Sequence, residues 1–203
     1  MFVGFKRSKI DVNGCSIYVV HGGSGPPLLM LHGYPQSHVE WHKVAPHLAK
    51  HYTVVCPDLR GYGDSDKPAS SDTDLSAYCK RTTANDQVGV MRALGFEKFH
   101  LVGHDRGVRV GLRLALDHPN RVLSLTNLDV VPSQEAFENM DASLAYSWFH
   151  WHLMRQPAPF PETVISSNAK LFLDLFLDTW SADLDAFTDE AYGEYLRCFS
   201  DPE

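Results

Sequence analysis

The residues best suited to chemistry cluster in Gly103-His104-Asp105-Arg106-Gly107. Flanking glycines permit a tight, strained turn that lifts the middle side chain clear of its surroundings. That side chain is a carboxylic acid. It is ionised at pH 7, so it can attack an electrophilic carbon with no base to deprotonate it first. A helix starting at this turn aims its N-terminus at the same spot and favours negative charge there. The competing reading is an ordinary strand-to-helix turn capped by Asp105. A second turn, His32-Gly33-Tyr34-Pro35, is weak evidence alone and gains weight from its order relative to the first. One further arrangement is a decoy. His38-Val39-Glu40-Trp41-His42 sets two histidines one helical turn apart, a metal-ligand spacing. It is not H-E-x-x-H, because the glutamate stands in the wrong place for a metalloprotease base. A solvent-facing helix end is expected there, with no metal.

Those turns need elements to hold them. Ser8–Val12 and Ser16–His21 flank Asn13-Gly14 and read as an opening hairpin. Leu28–Leu31 is a short apolar run between breakers, as expected for a strand covered on both faces. The pattern then predicts a helix over Val39–Lys50, a strand over Thr53–Cys56 and a turn-rich loop from Pro57 to Pro68. Helical spacing runs from Leu75 to Leu94 and ends at Gly95. Phe99–Val102 is a strand leading into the Asp105 turn, Val108–Asp117 a helix, and Val122–Leu128 another strand. Alternating strand and helix with short links implies an α/β fold with a mainly parallel sheet and helices on both faces. Beyond Pro132 the pattern changes to aromatic-rich helices over Gln134–Met154, Thr163–Trp180 and Thr188–Phe199, with Pro157–Pro161 as a stiff linker. This places a boundary near Val131, with 1–131 before it and a helical second layer over 132–203.

Gly103–Gly107, His32–Pro35 and the loop Asp58–Pro68 together resemble the α/β-hydrolase superfamily. The aspartate nucleophile is similar to its dehalogenase and epoxide-hydrolase branch. Gly103–Arg109, Arg113–Pro119, Leu128-Asp129, His150-Trp151 and Gln156–Pro159 resemble the fluoroacetate (haloacetate) dehalogenases within it. The resemblance implies an α/β-hydrolase fold, with 1–131 as its core and 132–203 as its cap, Asp105 as nucleophile and Asp129 as the triad acid that orients a histidine. It implies an oxyanion site made by backbone N–H groups of Tyr34 and Arg106. Arg106 and Arg109, three apart on one helix face, would grip the substrate carboxylate. Salt bridging to Asp117 or Asp129 is the plainer reading of those arginines. His150 and Trp151 match donors to the departing halide, although a His-Trp pair among aromatics also reads as packing. Soluble epoxide hydrolases, the alternative function, usually carry an aromatic residue where Arg106 stands.

In that superfamily the base histidine follows the last core strand. None of the eleven histidines, at 21, 32, 38, 42, 47, 51, 100, 104, 118, 150 and 152, stands there. The expectation is a chain that stops inside its cap, with the last core strands, a late cap tyrosine and the base histidine missing. A truncated, catalytically incomplete fragment is therefore the reading from another class, and it leaves Val122–Leu128 as an open apolar edge.

Composition is ordinary for a soluble globular protein. The 203 residues carry 18 Lys+Arg against 25 Asp+Glu, a formal net charge of −7, which argues against nucleic-acid or anionic-membrane partners. No run approaches the roughly 20 apolar residues of a membrane span, and Met1–Arg7 is not expected to be a signal peptide. Cys15, Cys56, Cys79 and Cys198 are isolated, as free thiols of a cytoplasmic protein would be. No cofactor is expected; the partner is a small-molecule substrate, and a homodimer is the family's common state.

Overall fold

Six strands form one sheet in the computed structural model, which describes residues 1–71 and 74–201. They are β1 (Lys6–Val12), β2 (Cys15–Gly23), β3 (Pro27–Leu31), β4 (Thr53–Pro57), β5 (Phe99–His104) and β6 (Val122–Leu128), in the order β1-β2-β4-β3-β5-β6. β1 and β2 make the expected hairpin, and β2 also pairs antiparallel with β4. β4, β3, β5 and β6 are parallel to their neighbours. The mainly parallel sheet read from the sequence is thus present, with each strand where it was expected to within two residues.

Period-two alternation divides the core. Leu29 and Leu31 of β3, Val55 of β4 and Leu101 of β5 face one side. There they meet Val88 and Met91 of α2 (Lys80–Ala93) and Val110 and Leu114 of α3 (Arg106–Asp117). Leu28, Met30, Val54 and Cys56 face the other side. They form a cluster with Trp41, with Leu173 and Leu177 of the helix Ala169–Trp180, and with Tyr195 of the helix Asp189–Phe199.

Several helices expected as single units are broken, each for a local reason. Val39–Lys50 is a 3₁₀ turn (His38–Trp41) followed by α1 (Ala45–Leu48). Pro46 in mid-helix would clash with the carbonyl one turn back, whereas in the first turn of α1 its missing N–H costs nothing. Leu75–Leu94 is likewise a 3₁₀ turn (Ser76–Tyr78) and then α2. Cys79 between them is extended at ψ 150°, and its Sγ accepts from the Thr82 N–H at 3.4 Å to start α2. Gln134–Met154 divides into α4 (Ser133–Glu138), α5 (Ala142–Ser147) and α6 (Phe149–Leu153). Thr163–Trp180 divides into α7 (Phe160–Ser167) and α8 (Ala169–Trp180). Asp141 and Asn168 cap α5 and α8 by accepting from Leu144 and Leu171 N–H. Their short polar side chains offer the backbone a cap in place of another helical turn. The helix expected at Thr188–Phe199 is α9 (Asp189–Phe199), capped by Thr188.

The His38–His42 stretch is not a solvent-facing helix end. His38, Val39 and Trp41 are buried, because this turn packs into the second core cluster. His38 Nδ1 lies 2.8 Å from the buried Asp58 carboxylate, and His42 Nδ1 lies 2.8 Å from the Val39 carbonyl. Each histidine therefore has a ring nitrogen engaged by the protein. No helix among the described residues is long and apolar enough to cross a membrane.

Candidate active site

Asp105 sits at the junction of β5 and α3 with φ 43° and ψ −109°. The positive φ falls on the acid itself, while the glycines serve close approach. A Cβ on Gly103 would stand 2.7 Å from the Gly107 backbone, and one on Gly107 would run into the Leu31 carbonyl oxygen. A Cβ on Gly33 would lie 2.7 Å from the Asp105 Cβ. The sequence reading gave the glycines the turn's strain; in the structure they make room for β3, the Gly33 loop and α3 to meet. Strain held at an acid on a half-buried elbow that borders a cavity is typical of a functional position.

The loop after β3 brings the Tyr34 N–H to Asp105, donating to Oδ1 at 2.9 Å. Arg106 begins α3, so its N–H has no intrahelical acceptor. Glu40 straps this loop to the elbow. Its Oε2 accepts from the Gly33 N–H at 2.8 Å, and its Oε1 lies 3.0 Å from Nδ1 of His104. Burial alone would lower the His104 imidazolium. The Glu40 carboxylate, helped by Asp105 and Asp129, outweighs burial and holds it above the usual histidine range. His32 is fully buried, and its Nε2 accepts from the Leu59 N–H at 2.9 Å. Burial keeps it neutral by lowering its affinity for a proton.

Asp105 lies between two lobes of one space. The larger, about 610 Å³, is lined by His104, Arg109, Asp129 and the aromatic residues Trp148, Phe176 and Trp180. The smaller, about 480 Å³, is lined by Lys80, Arg106, Arg109, Ser133 and Arg155. Tyr34, Asp105, Arg109, His150 and Trp151 border both. Tyr34, Asp105, Arg106, Arg109, Asp129, His150 and Trp151, the residues that the resemblance implied, therefore all line these two adjoining lobes. The salt-bridge reading of the arginines fails for Asp117, whose carboxylate is taken by Arg81 at 2.9 Å and by Arg113. Arg109 instead donates to the Ser133 hydroxyl and lies 4.6 Å above the Trp151 ring. His150 stacks on Tyr34 at 5.6 Å and tilts against Trp180 at 4.9 Å. Burial lowers its pKa to about 4, so its imidazole is neutral at pH 7. Its Nδ1 is buried with no hydrogen-bond partner among the described residues. Glu40, Lys80 and the Trp148–Trp180 wall were not anticipated. Glu40 lay inside the discarded His38–His42 motif, and no local pattern distinguishes Lys80.

An acid on a strand-to-helix elbow, facing a loop N–H from the neighbouring parallel strand, is the hydrolase arrangement in geometry as in sequence. The family model described as the alpha/beta hydrolase fold matches residues 26–195. The chain belongs to the α/β-hydrolase family. A fluoroacetate dehalogenase of Burkholderia sp is 50% identical over 203 residues, all of this chain and 66% of that protein. A soluble epoxide hydrolase of Corynebacterium sp. (strain C12) is 36% identical over 94% of this chain and 66% of that protein. The crystal structure of a protein from Nostoc sp PCC 7120, described as an alpha/beta hydrolase, superposes with a TM-score of 0.96 at 49% identity, covering 100% of this chain and 69% of that one. The hydrolase chain thus spans about two thirds of the length of these relatives.

Proposed function

We propose that this chain carries an aspartate-nucleophile hydrolase site of the haloacetate dehalogenase type. The observation that carries the reading is Asp105 on its elbow, with the Tyr34 N–H on one oxygen and Arg106 and Arg109 lining the adjoining lobe. The 50% identity to a fluoroacetate dehalogenase supports it. In this reading the arginines hold the haloacetate carboxylate and present the halogen-bearing carbon to the free Asp105 oxygen. Attack forms a C–O bond and breaks the carbon–halogen bond; halide leaves with the electron pair toward the His150 and Trp151 N–H groups. A neutral His150 has one N–H to donate. The product is an ester on Asp105, which water cleaves at the Asp105 carbonyl to give glycolate, while the Tyr34 and Arg106 N–H groups hold the oxyanion. Asp129 orients the histidine that activates this water. That base is assigned to none of the eleven histidines of this sequence. We take residues 1–131 as core and 132–203 as cap; residues 72, 73, 202 and 203 lie outside the described part.

Only the second step needs the base, so this chain is expected to react once and stall. Incubation with chloroacetate should add one carboxymethyl group by intact mass and release one equivalent of chloride, with neither event in Asp105→Asn. Folded protein that gains no adduct overturns the reading. The 36% identity to an epoxide hydrolase favours a second reading. Epoxide adducts on Asp105 without chloroacetate adducts would establish it.

A further inference from the structure

The smaller lobe holds more positive charge than a haloacetate needs. Among the described residues, Lys80, Arg106, Arg109 and Arg155 line it, against one carboxylate, that of Asp105. Two guanidiniums suffice for one substrate carboxylate. Lys80, the first residue of α2, and Arg155, between α6 and α7, then remain. Lys80 is half-buried, and burial with the charges of Arg106 and Arg109 lowers its pKa to about 8. Lys80 has no hydrogen-bond or ion-pair acceptor among the described residues, and a lysine so placed would ordinarily extend its ammonium into bulk water. Here it borders a cavity of roughly the size that suits small-molecule sites, about 300–1,000 Å³.

We propose that Lys80 and Arg155 form a second anion subsite beside the Arg106–Arg109 pair, so that the site takes α-haloacids carrying a second carboxylate, of the 2-halosuccinate kind. The substrate class rests on the dehalogenase reading above; the subsite does not. The carboxylate next to the halogen-bearing carbon lies between the arginines, and the distal one meets Lys80 and Arg155. Chemistry is unchanged. Asp105 forms an ester at C2, the carbon–halogen bond breaks, and halide leaves. A dianion neutralises charges that a monoanion leaves repelling one another in a partly desolvated lobe.

Succinate and propionate have no leaving group and test the subsite without chemistry. Titrated into the chain and followed by the fluorescence of the lining tryptophans, succinate should bind at least tenfold tighter than propionate. Lys80→Met should remove most of that advantage and leave propionate within about twofold, while Lys80→Arg keeps it. Arg155→Ala should reduce it. Circular dichroism of each variant shows that it is folded. Equal affinities, no binding of either acid, or an advantage unchanged in Lys80→Met overturns the subsite. A succinate preference that depends on Lys80, in a chain that chloroacetate does not alkylate, keeps the subsite and removes the dehalogenase reading. Alkylation by chloroacetate with no succinate preference does the reverse.

Discussion

Asp105, Glu40 and His150 illustrate how neighbours assign work to individual groups. Asp105 is positioned by one backbone N–H and a strained φ. Glu40 holds both the loop that supplies that N–H and His104, the residue before Asp105. His150 is kept neutral by burial among Tyr34, Phe176 and Trp180. That neutrality has a consequence for acid stability. Its folded pKa, about 4, lies below the ordinary histidine value of 6.5. Between those values the unfolded chain takes a proton that the folded one refuses. Stability therefore falls as pH drops from about 6.5 to 4, by at most about 3 kcal/mol from this residue. Buried His32 acts in the same direction. Denaturant titrations across that window should show a shallower loss for His150→Phe than for the parent. An identical slope would mean that His150 is not held neutral.

Contact between elements is closest where β3, β5 and α3 converge. Gly107 brings α3 against the last residue of β3, with no room for a methyl group beside the Leu31 carbonyl. A backbone oxygen cannot swing aside as a flexible side chain does, so Gly107→Ala must part the helix from the sheet. We expect a cost at the upper end of the range for overpacking, about 3 kcal/mol, by chemical denaturation, and a chain that no longer reacts at Asp105. A fully folded, reactive Gly107→Ala would show that the elbow tolerates a looser junction. The broken helices follow a different rule. Pro46, Cys79, Asp141 and Asn168 each provide a local reason to end or restart a helix, which apolar periodicity does not register.

At the scale of the whole molecule, charge and edge are both uneven. The chain is acidic overall, at −7, yet four cations converge on one lobe of its site. A partly enclosed positive lobe concentrates small anions even against an opposing bulk charge. At the other extreme β6 forms an edge of the sheet among the described residues, pairing with β5 on one side, and leaves Leu123 52% and Leu128 39% exposed. Unpaired strand edges with apolar side chains invite pairing with another copy. Sedimentation velocity should therefore reveal association that grows with concentration and is reduced in Leu123→Lys. A parent that stays monomeric throughout would refute that expectation.

The amino-acid sequence by itself determined the strand order in the chain, the elbow around Asp105, the His32–Pro35 turn and the pairing of Arg106 with Arg109. These are legible because each depends on spacing within a few residues: period two in strands, three in α3, glycines around one acid. Only the tertiary structure decided that Glu40 would tie Gly33 to His104, that His150 would stack on Tyr34, and that Lys80 would share a cavity with residues of α3 and the α6–α7 connection. Those partners are up to 116 positions apart in the case of Tyr34 and His150. No local pattern encodes such a contact, because it exists only once the parallel strands have stacked their loops at one end of the sheet.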